Sequence, residues 1–244
     1  MEGCGPPTID VMIIDDVLGD AVRNNVEWVQ AMCRSHGLTG TFGPRAWTSA
    51  ARTPLYYPDA VTLTADAEVA DILAGIDRTT PGASVKDSFA RLDLAAEGFR
   101  LLFEAQWIHR PAGLPAPAAT GDWRPVRTAE ELAAWALAWS GDDADDAELF
   151  GPELLADPAT TIVAGYAADG RILGGAVLSA SDRVTGLSNL FATGDTDPSV
   201  TWAGALAAAP ADRPLVGYEP AHRMPAARDA GFEELGPLRV WLSA

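Results

Sequence analysis

Cysteine is scarce in this chain of 244 residues: Cys4 and Cys33 are the only two, and no C-x-x-C pair occurs. That argues against a structural zinc site, which needs several convergent ligands. Histidine is equally sparse. His36, His109 and His222 stand far apart in sequence, so no metal centre is expected. Long apolar runs are missing too, and none reaches the ~18 residues of a membrane-spanning helix. The opening M-E-G-C-G-P-P has neither a basic start nor an extended apolar stretch, and it does not read as a signal peptide. Positive charge is in short supply: 17 Lys and Arg against 34 Asp and Glu give a net charge of −17. So acidic a surface favours solubility and is repelled by nucleic acid and anionic membrane. A soluble, cytoplasmic protein with neither as a partner is the expectation.

Apolar residues are plentiful: at 48% of the chain they are enough for a packed core and exclude global disorder. One stretch, R110-P-A-G-L-P-A-P-A-A-T-G121, lacks apolar periodicity and is rich in Pro and Ala, the composition of a semi-extended spacer. It divides the chain into a first half (1–110), a linker (111–121) and a second half (122–244).

In the first half, Val22, Val26, Val29 and Cys33 recur at helical spacing, which predicts a helix from Val17 to Cys33 stopped by Gly37. A strand region over 47–64 is interrupted at Pro54 and Pro58. A helix follows over Glu68–Ile76, then a short strand from Val85, a helical turn ended by Gly98, and a strand over Phe99–His109. In the second half Thr128, with Glu131 three residues on, has the spacing of a capping box. Trp135 and Trp139 lie four apart on one face of that helix. The acidic run G141-D-D-A-D-D-A-E148 reads as an exposed turn without the spacing of a calcium loop. T160-T-I-V-A-G-Y166 and I172-L-G-G-A-V-L-S179 flank a D-G turn, the pattern of a hairpin. A strand over 186–192, a helix over Ser199–Ala209, a strand over 213–219, a short helix over Met224–Ala230 and a closing strand from Phe232 complete the order. Both halves end alike: short helix, Gly-Phe, strand, Trp, at Gly98-Phe99…Trp107 and Gly231-Phe232…Trp241.

From Trp123 to Trp241 this order resembles the GNAT superfamily of acyl-CoA-dependent N-acyltransferases. The most similar local stretch is A226-A-R-D-A-G-F-E-E-L-G-P-L-R-V-W241. The first half resembles a degenerate copy, ending in L94-A-A-E-G-F-R-L-L-F-E-A-Q-W107. The resemblance implies an α+β fold, a mixed and mostly antiparallel sheet flanked by helices, in two tandem copies. It also implies acyl transfer from acetyl-CoA or another acyl-CoA to the amine of a small molecule. A homodimer is compatible with that reading.

In such a protein the backbone after the long strand, here Leu190, Phe191 and Ala192, takes the pantetheine arm. The loop opening the next helix, here Gly194, Thr196 and Ser199, takes the pyrophosphate on its N–H groups. Tyr218, Glu219 and His222, at and just past a strand end, are the candidate catalytic groups, with Glu219 as general base and Tyr218 as acid. Ser188 and Asn189, inside an otherwise apolar strand, could line the groove with their side chains or serve as edge hydrogen-bonders, the two side chains facing opposite ways. Tyr56 and Tyr57 are cleft candidates. Lone arginines such as Arg52, Arg100 and Arg239 could replace missing phosphate contacts, although nothing in the sequence brings them to the loop.

The chain departs from the family at two points. The loop G194-D-T-D-P-S199 has one glycine, no basic leader and two carboxylates, and Asp197 or Ser199 would cap the helix that follows. The family's tyrosine position, four residues before Gly-Phe, is Ala227 here and Leu94 in the first half. A second reading therefore stands beside the enzyme: a catalytically silent GNAT-fold protein that binds a metabolite or protein partner without CoA.

Overall fold

The structure is a computed structural model and describes residues 9–243; residues 1–8, Cys4 and the opening M-E-G-C-G-P-P among them, and residue 244 lie outside. Its elements in chain order are α1 (Ile9–Ser35), β1 (Thr41–Phe42), β2 (Ala46–Thr48), β3 (Ala60–Thr62), α2 (Val69–Leu73), β4 (Ser84–Asp87) and β5 (Phe99–Arg110), a short 3-10 turn (Ala95–Glu97) preceding β5. Then come β6 (Asp122–Pro125), α3 (Ala129–Trp139), α4 (Ala144–Ala147), a 3-10 turn (Pro152–Ala156), β7 (Thr160–Tyr166), β8 (Ile172–Ala180), β9 (Thr185–Ala192), α5 (Pro198–Ala208), β10 (Leu215–Glu219), α6 (Met224–Asp229) and β11 (Glu233–Ser243).

Most of this order is the expected one, and the local causes are visible. Val22, Val26, Val29 and Cys33 are all buried on one side of α1, which starts earlier than Val17 and ends before Gly37, a residue at φ +72°. Burial pushes the Cys33 thiol up to about 11, with the Asp59 carboxylate adding to the effect. Thr128 caps α3 by accepting the Glu131 N–H. The Glu131 carboxylate reaches back to the Arg127 N–H instead of closing the box on Thr128. The acidic run is corrected: part of it is the helix α4, because the Asp143 carboxylate accepts from the N–H groups of Asp145 and Asp146 and caps it. The linker runs without regular structure until β6, a strand the hydrophobic pattern did not announce.

All strands share one mixed, mostly antiparallel sheet in the order β1-β2-β3-β4-β11-β5-β10-β9-β8-β7-β6. Two tandem copies are therefore not evident as separate sheets. The last strand of each half crosses over: β5 pairs with β10 and β11 with β4, and β5 and β11 lie antiparallel side by side at the centre. Gly98 and Gly231 both adopt left-handed backbone (φ +86° and +87°), and Phe99 and Phe232 drop into the core directly after them.

The pleat of β7 and β8 separates two layers of helices. Ile162, Ala164 and Val177 pack with α1 and α3, while Val163, Ala176 and Leu178 pack with α5 and α6. Trp135 on α3 is fully buried, donates to the Val163 carbonyl at 2.9 Å, and meets Phe150 and Phe191 edge-on. Asn24 pins α1 to the sheet through the Ser179 carbonyl at 2.8 Å. The fit is close, since a Cβ on Gly186 would come within 2.0 Å of Asn24 Oδ1. No described helix is long and apolar enough to cross a membrane.

Candidate active site

β9 and β10 run parallel, but they pair only at Thr185↔Leu215 and Gly186↔Val216. Beyond that point they part. β10 stays on β5 as far as Glu219↔Gln106, and β9 stays on β8 as far as Ala192↔Gly174. The facing edges of both strands are thus left without a ladder partner. Unpaired strand N–H and C=O groups are strong hydrogen-bonding sites that something must satisfy.

Two local features sit where the strands diverge. Gly217 lies so close to β9 that a Cβ would stand 2.7 Å from the Leu187 carbonyl oxygen. On β9 a bulge sets Asn189 and Leu190 opposite Ala176, and Asn189 takes φ +51°. Left-handed backbone in a non-glycine strand residue is uncommon, and such strain concentrates at binding sites.

The notch opens into a cavity of ≈ 620 Å³, lined by β9, β10, α1, β5 and the Tyr56–Pro58 turn. That volume suits a small-molecule site. Trp28, Trp107, Trp139 and Trp202 contribute to its walls. Two hydroxyls on it, Tyr57 and Ser188, are buried with no hydrogen-bond partner among the described residues. Each such orphan is expensive unless a ligand or water satisfies it. Burial drives the Tyr57 phenol above its ordinary range, and the Asn189 and Trp28 side chains beside it oppose that.

The candidate catalytic residues fall at this cavity. Glu219 ends β10, is 8% exposed and has no salt-bridge partner among the described residues. Burial lifts its carboxyl from 4.5 to about 7, and the Arg223 guanidinium four residues on pulls the other way. Tyr218 lines the same cavity, but the strand pleat turns it to the opposite face. There it meets Trp107 edge-on at 5.6 Å, on the α1 side. His222, in the turn after β10, is exposed at the cavity mouth.

Of the residues assigned to the donor, Leu190 and Phe191 line the cavity, whereas Ala192, Gly194, Thr196 and Ser199 do not. The helix start they belong to is capped by its own sequence: the Asp197 carboxylate accepts the Ser199 N–H at 2.8 Å and Pro198 supplies no donor. The Thr196 N–H is spent on the Thr193 carbonyl. Ser188 and Asn189 both line the cavity, as do Leu187 and Leu190 on either side of them. Tyr56 and Tyr57 line it as well. Arg52 pairs with Asp59 and Arg239 with Glu104, and neither these nor Arg100 reaches the cavity. The histidines gather at no common point, and no group of metal-ligating side chains occurs among the described residues.

One functional candidate escaped the sequence reading. Lys86 on β4 projects into the same cavity, 4% exposed, although the strand belongs to the other half of the chain. The available signal was compositional: it is the chain's single lysine.

No protein-family profile matches this chain, and no curated protein does either. Solved structures do. A GCN5-related N-acetyltransferase from Kribbella flavida superposes with a TM-score of 0.62 at 18% identity, over 91% of this chain and 95% of that one. A Novosphingobium aromaticivorans protein described as an acetyltransferase from the GNAT family gives 0.52 at 13% identity, over 88% and 94%. At such identities the likeness establishes the fold: this chain has the α+β architecture of the GNAT N-acetyltransferases across nearly its whole length.

Proposed function

We propose that the protein transfers an acyl group from an acyl-CoA to the amine of a small molecule. The observation that carries this reading is Glu219: a desolvated carboxylate at the mouth of the β9–β10 notch, with a proton affinity matched to neutral pH. The donor supplies a thioester carbonyl. The unpaired edges of β9 and β10 suit an extended, amide-bearing arm, which would fill the missing ladder positions. As the amine nitrogen bonds to the acyl carbon and the C–S bond breaks, Glu219 accepts the amine proton, directly or through one water. The departing sulfur keeps the electron pair. Tyr218 and His222 are the nearby groups that can protonate it, and the family's tyrosine position is Ala227, buried in the core.

The chain's own residues fit the arm of such a donor better than its pyrophosphate. For that reason the silent GNAT-fold protein keeps one specific supporting observation, the Asp197 cap on α5. We also read the halves, 1–110 and 122–244, as related copies joined by the 111–121 linker and exchanging their last strands. The matching β3∥β4 and β9∥β10 pairs and the twin Gly-Phe corners support this.

Calorimetric titration with acetyl-CoA, with desulfo-CoA as a control, tests the choice. The enzyme reading expects a micromolar Kd, about −8 kcal/mol. It also expects a Glu219→Gln variant that still binds but loses roughly 10²–10⁴-fold in turnover. Absence of binding up to millimolar donor overturns it in favour of the silent protein.

A further inference from the structure

Lys86 is the only lysine in a chain of net charge −17, and it is held away from every described carboxylate by more than 4 Å. Its Nζ donates to Asn25 Oδ1 on α1 at 2.8 Å and stands 4.2 Å from the centroid of the Tyr218 ring. An ammonium has three donors, and a buried charge with only neutral partners is expensive to keep. The chain has 34 acidic residues from which a counter-ion could have come. The neighbours it has instead are an amide and an aromatic face, both of which tolerate a cation without neutralising it. A ligand anion would supply the missing charge.

The position of Lys86 relative to the sheet says which ligand. It lies with Asn25 and Tyr218 on the α1 side of the notch, opposite the layer that contains α5. Glu219 lines the same cavity across the strand. We infer that the acceptor amine carries a carboxylate, which Lys86 and Asn25 hold on the α1 side while its amino group faces Glu219. Trp28, Tyr57 and Trp107 give it apolar walls, so its body is largely hydrocarbon or aromatic. The amine half of this inference rests on the transferase reading; the carboxylate half does not.

With a single lysine, protein grown on ¹³C-lysine shows one set of lysine side-chain resonances, and all of them report on Lys86. The probes are the proteinogenic L-α-amino acids, each beside its carboxamide. The expected result is a saturable shift of the Lys86 ε-methylene signal with at least one amino acid and at least tenfold weaker binding of its amide. By calorimetry Lys86→Met should abolish binding of that amino acid, and Lys86→Arg should retain part of it. If no carboxylate moves the resonance, or acid and amide move it equally, the inference is overturned. Acetyl-CoA titrated into the same sample separates the two failures. Donor binding with a silent Lys86 signal removes this inference alone. A responsive Lys86 without donor binding removes the transferase and leaves a carboxylate-binding protein.

Discussion

Glu219→Gln tests the buried carboxylate without any assay of turnover. The group titrates near 4.5 when exposed and at about 7 in the folded chain, because burial penalises its ionised form. At 1.36 kcal/mol per tenfold in proton affinity, the difference corresponds to about 3 kcal/mol. The sign follows from linkage. Below the unfolded value both states are protonated and nothing is lost. Between 4.5 and about 7 the folded state holds the proton that the unfolded state has released, so stability falls as pH rises, and above about 7 the full penalty is present. A glutamine cannot ionise and escapes it. The variant should therefore gain on the parent by up to about 3 kcal/mol between pH 4.5 and pH 8, beyond any constant offset from packing an amide there. For a domain of this size that is roughly 6–12 °C in relative Tm. Melting curves of both proteins across that range, by calorimetry or circular dichroism, are the assay. A stability difference that stays flat with pH would refute the desolvated carboxylate and, with it, the argument for a base matched to neutral pH.

Three further outcomes follow from the same geometry. If Glu219 is the base, kcat/KM for acyl transfer should rise through about pH 7 and level above it, which a pH–rate profile checks. Asp197→Asn keeps a helix cap but removes the charge beside the α5 N-terminus, so acetyl-CoA should bind several-fold tighter by calorimetry, with a slightly lowered Tm. Gly204→Ala would place a Cβ 1.8 Å from the Trp123 ring, and the resulting overpacking should destabilise the fold by roughly 1–3 kcal/mol in urea unfolding.

What was legible in the sequence was local. The period of Val22, Val26, Val29 and Cys33 gives α1, a D-G turn gives the β7–β8 hairpin, and Asp197 caps α5 from two residues away. Each depends on contacts within a few positions. The misses are of two kinds. Strand order is non-local, and nothing near residue 105 announces that β5 will lie between β10 and β11. The bulge at Asn189 and Leu190 depends on how β9 pairs with β8, and the strand's own pattern does not announce it. Lys86 was missed for the first reason. Its strand lies in one half and its cavity mostly in the other, and only the crossed pairing of β4, β11, β5 and β10 brings it there.

That crossing also bears on how the site divides its labour. Acyl transfer to an amine needs a base, a slot for the donor and a means of choosing the acceptor. In the proposed reaction, the base and the slot come from the neighbouring strands β10 and β9. The groups on the α1 side come from elsewhere: Asn25 and Trp28 from α1, Tyr57 from the turn before β3, and Lys86 from β4. A second half alone would leave the notch open on that side, since β5 supplies one edge of β10 and α1 covers the sheet above it. Residues of the first half therefore complete the notch between β9 and β10. On the proposed transfer reading, chemistry falls to residues 122–244 and the acceptor wall to residues 1–110, where Leu94 is buried at the position that would match the tyrosine.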